Sequence, residues 1–205
     1  MHPSRAGCAS SLMPNGSTQP VFLVDAYSDP VVVRIMGRAC FANSGELQTF
    51  LAQMTGQGKA RFVLDFRDCS SMDSTFLGVL AGEALELRRR NPPGSLVLCR
   101  VGRRNLELLD NLGLNRLLTI DPGEPRPGAG DAVPLASGAG GDELDGARLV
   151  LEAHENLVAA DPANLGKFQD LMTFLRLRLQ QSQGTAPATG PGAQAGAPRA
   201  PGGPA

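Results

Sequence analysis

Ser74 has the surroundings with the most chemistry to offer. It stands in Asp68-Cys69-Ser70-Ser71-Met72-Asp73-Ser74-Thr75-Phe76-Leu77-Gly78-Val79-Leu80, between a short apolar run, Phe62 to Phe66, and a helical pattern. A short apolar run bounded by turn residues reads as a buried strand. Asp73 and Ser74 therefore fall at a helix N-terminus at the carboxyl end of a strand, a usual place for function in an open α/β sheet. Three roles are open to the serine. As a nucleophile it needs a base. The only histidines are His2, in the N-terminal stretch, and His154, in a distant helical segment. Neither comes with a recognisable orienting partner and no G-x-S-x-G elbow surrounds Ser74, which argues against hydrolase chemistry. As an N-cap, Ser74 or Asp73 contributes about 0.5–2 kcal/mol, and that role is compatible with another. As a phosphoacceptor, Ser74 would bring about −1.5 to −2 charges to a helix N-terminus, where the helix dipole tolerates anions. Such a charge would repel a close-fitting partner without unfolding the protein.

Other chemistry-bearing residues form weaker patterns. Cys8, Cys40, Cys69 and Cys99 include no C-x-x-C pair, and with two histidines they make a zinc site improbable. They read as reduced thiols of a cytoplasmic protein. Gly56-Gln57-Gly58-Lys59 lacks the spacing and the following Ser or Thr of a phosphate loop. Arg88-Arg89-Arg90 ends a helix, where cations suit the dipole. No cofactor or metal is expected.

The whole chain sets outer bounds. It has 205 residues, a formal charge of −1, no Trp and one Tyr. Nothing in that balance points to nucleic acid or an anionic membrane surface, and no stretch approaches the length of a membrane span. Ala6-Gly7 before Cys8 superficially suggests lipoprotein cleavage, but only Met1 to Arg5 precedes it, too little for an apolar segment.

The elements that must position Ser74 follow from periodicity. Val21 to Val24 and Val31 to Met36 read as strands joined by the turn Tyr27-Ser28-Asp29-Pro30. The link is too short for a parallel crossover, so the two should pair antiparallel. Gly37 to Ala42 reads as a loop, with Asn43 or Ser44 capping a helix whose inward face is Leu47, Phe50, Leu51 and Met54. A third strand, Phe62 to Phe66, leads into the Ser74 motif and a helix to about Arg90, stopped by Pro92 and Pro93. Leu96 to Cys99, a helix from Arg103 to Leu112 ending at Gly113, and Leu117 to Ile120 complete an alternating α/β pattern. Residues 122–141 are rich in Gly, Pro and Ala and read as a linker. Two helices follow within 142–182, the first ending near Ala160 and the second carrying Leu165, Phe168, Met172, Leu175 and Leu179 at heptad-like steps. That seam either packs on the domain or forms a homodimer. Residues 1–19 and 183–205 have the composition of disordered segments.

On the motif helix, Leu77, Leu80, Ala81, Ala84 and Leu85 form the core face, with Glu83, Glu86 and Arg90 opposite. Ser74, Gly78 and Gly82 make a strip between them. Each interior glycine costs roughly 0.5–1 kcal/mol relative to Ala. Two on one strip imply close approach to the backbone, by the sheet or by a partner. His154 lies at helical spacing from Val150, Leu151 and Val158 and reads as a packing residue.

The motif from Asp65 through Leu80, with Asp-x-Ser-x-Met-Asp-Ser-Thr-x-Leu-Gly-Val-Leu at its centre, resembles the signature of STAS domains, the anti-sigma factor antagonists. Leu108-Leu109-Asp110-Asn111-Leu112-Gly113-Leu114 resembles the family's third helix. The resemblance places a STAS domain at 20–121 and implies an α/β fold, a mixed sheet of four to five strands flanked by helices, here with a C-terminal helical extension. It further implies a non-enzymatic partner switch in transcription regulation. In the family a serine at the Ser74 position is phosphorylated by an anti-sigma factor that is also a kinase, so the resemblance implies such a partner here, and a phosphatase is expected with it. Asp73, Thr75, Phe76, Gly78, Gly82 and Cys40 are then expected around the partner contact. Two departures stand out. Phe76 replaces the family's usual Gly, and Gly37-Arg38-Ala39-Cys40 replaces a loop that tends to carry an acidic residue. A large ring beside the serine implies an altered docking surface. The alternative is an unphosphorylated scaffold that assembles through the C-terminal helices and Phe76.

Overall fold

The computed structural model describes residues 21–123, 132–135 and 142–183. The segments read as disordered, with Cys8 and His2, and most of the linker lie outside the described residues. The described chain runs β1 (Phe22–Asp25), β2 (Val31–Ala39), α1 (Phe41–Gly56), β3 (Arg61–Met72), α2 (Ser74–Arg89), β4 (Ser95–Cys99), α3 (Arg103–Asn111), a 3-10 turn (Leu114–Arg116) and β5 (Thr119–Asp121). Then come β6 (Val133–Pro134), α4 (Glu143–Ala160), a second 3-10 turn (Pro162–Asn164) and α5 (Leu165–Gln183).

The strands form one six-stranded mixed sheet in the order β5-β4-β3-β2-β1-β6. β2, β3, β4 and β5 are parallel neighbours, and β1 pairs antiparallel with both β2 and β6. The expected antiparallel β1–β2 pair is present. The expected four to five strands become six, because Val133 and Pro134, read as linker, pair with Val24 and Leu23. Two residues among Gly, Pro and Ala carry no alternation by which a strand could be recognised.

Pairing also continues where polar loops were expected. β2 runs to Ala39 and β3 to Met72, with register shifts between Arg34 and Met36 and between Gly37 and Arg38. Gly37 has φ +70°, a left-handed conformation that glycine adopts without strain. Bulges of this kind erase the strict alternation of a strand while keeping its ladder. Gly37–Ala39 and Cys69–Met72, read as loop and turn, are therefore paired strand ends. Helix α1 accordingly begins at Phe41 with Cys40 as N-cap, not at Asn43 or Ser44. Asn43 instead sits one turn inside and accepts the Cys40 N–H through Oδ1 at 2.9 Å.

The core lies between the sheet and its helices. Phe22, Phe62, Phe66, Phe76, Leu47, Leu64, Leu80 and Leu98 are essentially fully buried there, and Leu157 of α4 joins the same cluster. Met72 at the end of β3 and Leu77 and Leu87 of α2 belong to the same cluster. The C-terminal helices thus pack on the domain. Met172, Leu175 and Leu179 of the expected seam are buried, the last two against Ala147, while Leu165 is exposed. The seam is consumed within the chain. The turn between α4 and α5 is pinned by buried Asn164, whose Nδ2 donates to the carbonyls of Leu112 at 3.0 Å and Leu157 at 2.9 Å.

Candidate functional site

The end of β3 delivers Asp73 and Ser74 to the start of α2. Asp73 is the N-cap and Ser74 the first helical residue. The Asp73 carboxylate caps two helices at once. Oδ1 accepts the Phe76 N–H at 2.9 Å and Oδ2 accepts the Phe41 N–H, the first of α1, at 2.7 Å. An orphan N–H at each helix start is thereby satisfied. The capping role left open between Asp73 and Ser74 belongs to Asp73, and the serine hydroxyl is free for something else.

That hydroxyl lies 3.0 Å from Nε2 of His154, on α4. The other ring nitrogen, Nδ1, is 2.7 Å from the Val150 carbonyl oxygen. A carbonyl only accepts, so Nδ1 carries a proton. In the neutral ring Nε2 is then the acceptor, and Ser74 donates to it. His154 is 2% exposed and meets the Phe168 ring of α5 edge-on at 4.6 Å. From the sequence, His154 stands in a distant helix without an orienting partner. Tertiary packing gives it both Ser74 and an orienting carbonyl, so the histidine is satisfied packing and also the serine's partner. The geometry is that of a nucleophile and its base. However, the third member is a neutral carbonyl, and the Asp73 carboxylate already stands at the helix N-terminus where a developing anion would otherwise gather.

The expected strip also turns out differently. Gly78 and Gly82 are not bare. A Cβ on Gly78 would lie 2.2 Å from the Ala153 carbonyl oxygen, and one on Gly82 would lie 2.4 Å from Asn156 Nδ2. The close approach implied by two glycines is made by α4 of the same chain, not by the sheet. Phe76 was expected at the surface beside the serine, but it is 0% exposed. Its ring stacks on Phe22 and meets Phe66 edge-on, both with centroids 6.3 Å apart. In a helix the residue two beyond Ser74 points well away from it. Thr75 is buried as well, and Cys40 is half-buried at the α1 cap.

Ser74 remains half-buried and lines an open cavity of about 440 Å³ with Met72, Asp73, Leu77, Leu108, Asn111, Leu112, Lys167 and Phe168. Lys167 Nζ donates to the carbonyl of Asn111 and, at 3.0 Å, to Asn164 Oδ1. His154, Lys167 and Phe168 were not anticipated as neighbours of Ser74. The one local signal for them was the glycine pair, which announces a close neighbour without naming it.

Electrostatics elsewhere are those of packing. Glu83 was read as solvent-facing but is partly buried, where it accepts from Thr55 Oγ1 at 2.7 Å. Burial holds its carboxyl above the ordinary range. Burial likewise raises the thiols of Cys69 and Cys99, which are free together with Cys40. Arg100 pairs with Asp65 through Nε and Nη2, one edge of its guanidinium, with Asp65 almost wholly buried. Among the described residues no His, Cys, Asp and Glu cluster could hold a metal, and no helix is long and apolar enough to cross a membrane.

A scan against family models matches residues 22–125 to the STAS domain. No curated protein matches the chain in a sequence comparison. Among solved structures, the chain is similar to the anti-sigma factor antagonist SpoIIAA in its unphosphorylated form at 17% identity and a TM-score of 0.43, covering 50% of this chain and 89% of that one. It is similar to the phosphorylated form of SpoIIAA, described as a Bacillus cell fate determinant, at 20% identity and a TM-score of 0.41, covering 49% and 90%. The family assignment rests on the family model, which spans just over half of the chain.

Proposed function

The chain belongs to the STAS domain family, and we propose that it is a non-enzymatic binding module of a partner switch in transcription regulation, with Ser74 as the phosphorylated switch residue. The observation that carries this reading is the Ser74–His154 hydrogen bond at the start of α2. It makes the motif serine one of the points where the domain holds its C-terminal helices. A phosphoryl group on Ser74 removes the hydroxyl hydrogen that His154 accepts and places two negative charges beside Asp73. The α2 N-terminus tolerates that charge, so the sheet stays folded and the change falls on what packs over α2. The partner is then an anti-sigma factor with serine kinase activity, and a phosphatase resets the switch. Lack of catalysis is argued from the His154 ring, whose Nδ1 is held by the neutral Val150 carbonyl where a base of a nucleophilic serine would have an orienting carboxylate.

The test is intact-mass measurement of the protein after incubation with ATP and an extract of its native cell. One phosphoryl group on wild type and none on Ser74→Ala is expected. Phosphorylation of the alanine variant, or none on either protein, removes Ser74 from the mechanism. A fluorophosphonate probe that labels Ser74 would move the function to acyl transfer.

A second reading, a scaffold without phosphorylation, is favoured by a different observation. Leu171, Phe174 and Leu177 recur every three residues along α5 and are 38%, 58% and 53% exposed. Exposed apolar residues at such spacing suit contact with a second copy. Light scattering of wild type against Phe174→Asp separates the two: a dimer lost on substitution supports the scaffold, and a monomer at every concentration eliminates it.

A further inference from the structure

The strip of Ser74, Gly78 and Gly82 is filled, and the filling shows what else would fit. A Cβ on Gly78 would lie 2.2, 2.5 and 2.7 Å from the carbonyl oxygen, carbonyl carbon and Cα of Ala153. The two helices therefore meet backbone to backbone. Interaxial distance is set by the side chains at the contact, and this one accepts glycine on one side and a small residue on the other. Ala153 is 1% exposed and Leu157, one turn on, is wholly buried in the sheet core. His154 adds the polar anchor on Ser74. α4 reaches this seat through the connection from Asp121 to Glu143, so its docking is an association within one molecule.

We infer that the α2 strip is a helix-binding groove whose resident occupant is α4. The external partner of this surface docks an amphipathic helix with alanine or glycine against Gly78, in competition with α4. This rests on the reading of the Ser74 surface as a partner site. The shape of the contact selects the partner. A helix with leucine in the place of Ala153 does not seat, because that residue is 1% exposed and the two backbones beside it are already in contact, which leaves no room for a longer side chain. The polar neighbour at the groove end is Ser74, so a modification there acts on both occupants. A helix in trans sees only the fraction of molecules in which α4 is undocked, and its apparent affinity falls by that fraction.

The experiment uses the full chain. Ala153→Leu expels α4 while leaving every groove residue intact. The probe is a fluorescent synthetic peptide with the sequence of residues 142–161, standing in for the partner helix. It is expected to bind Ala153→Leu at least tenfold more tightly than wild type. Adding Gly78→Leu to that variant should remove binding, and a peptide that itself carries Ala153→Leu should not bind. Equal affinity for wild type and Ala153→Leu, absence of binding to both, or binding that survives Gly78→Leu overturns the inference. If Ala153→Leu does not fold, hydrogen exchange on wild type decides. Amides of α4 should exchange through an opening that leaves β2 and β3 protected, and equal protection in α4 and β3 overturns the groove. None of these readouts involves phosphate. A peptide that fails to bind leaves Ser74 phosphorylation standing, and an unphosphorylated Ser74 leaves the groove standing.

Discussion

Replacing Gly78 by alanine sets two quantities against each other. In an ordinary helix interior the change stabilises by about 0.5–1 kcal/mol, because alanine loses less backbone freedom. Here the new methyl carbon would stand 2.2 Å from the Ala153 oxygen, whereas ordinary contact begins near 3.4 Å. The helices must part by about 1 Å, since the obstacle is backbone on both sides. A gap of 0.5–1 Å forfeits a quarter to a half of each dispersion contact along the seam. It also strains the 3.0 Å Ser74–His154 bond, one turn away. Overpacking of this kind costs about 1–3 kcal/mol, so the propensity gain is outweighed and the net effect is a loss of roughly 1–2 kcal/mol. Two companion variants calibrate the result. At Gly45 in α1 the added carbon would meet only Leu149 Cδ2 at 3.5 Å, an ordinary contact, so Gly45→Ala should stabilise. At Gly82 the obstacle is the Asn156 amide, a side chain that can swing aside, so Gly82→Ala should be near neutral. Urea denaturation ranks the three proteins, and hydrogen exchange shows whether the loss at Gly78 lies in α4. If Gly78→Ala stabilises as much as Gly45→Ala with α4 protection unchanged, the backbone contact, and the seating of the C-terminal helices built on it, is wrong.

Three further outcomes are expected. Ser74→Ala leaves the buried Nε2 of His154 without its donor and should cost about 1–3 kcal/mol in urea titration. Phe76→Ala should cost about 3–5 kcal/mol, as for other large core aromatics, and should leave the binding of a partner to the folded protein unchanged. Glu83 has its folded carboxyl raised by burial, so its contribution to stability is fully present below the unfolded carboxylate range and is lost as pH rises through the folded value. Glu83→Gln keeps an acceptor for Thr55 and removes that loss. Its stability relative to wild type should therefore climb from about pH 4 toward neutrality, and a flat difference across that range would show that Glu83 is not desolvated.

Much of this protein was legible in the order of its residues. The strand before Ser74, the apolar stripe of α2, the proline stop after Arg90, the left-handed Gly113 and the caps near Asp73 and Asp161 are local, and short-range periodicity and turn chemistry report them directly. The STAS motif is local too, so the family could be read from Asp65 to Leu80. Other features depend on residues far apart in the chain. The bulges of β2 let polar stretches pair as strands, and β6 exists only because β1 offers an edge. Phe76 and Ser74 are neighbours in the motif, yet the helix sends one into the sheet core and the other toward α4, and which is which depends on where Phe22 and Phe66 stand. The glycine pair showed that something approaches α2 closely. That it is Ala153, and that His154 comes with it to Ser74 across eighty residues of sequence, was decided by the packing of α4 against α2, because no local preference of either helix encodes the face that meets the other.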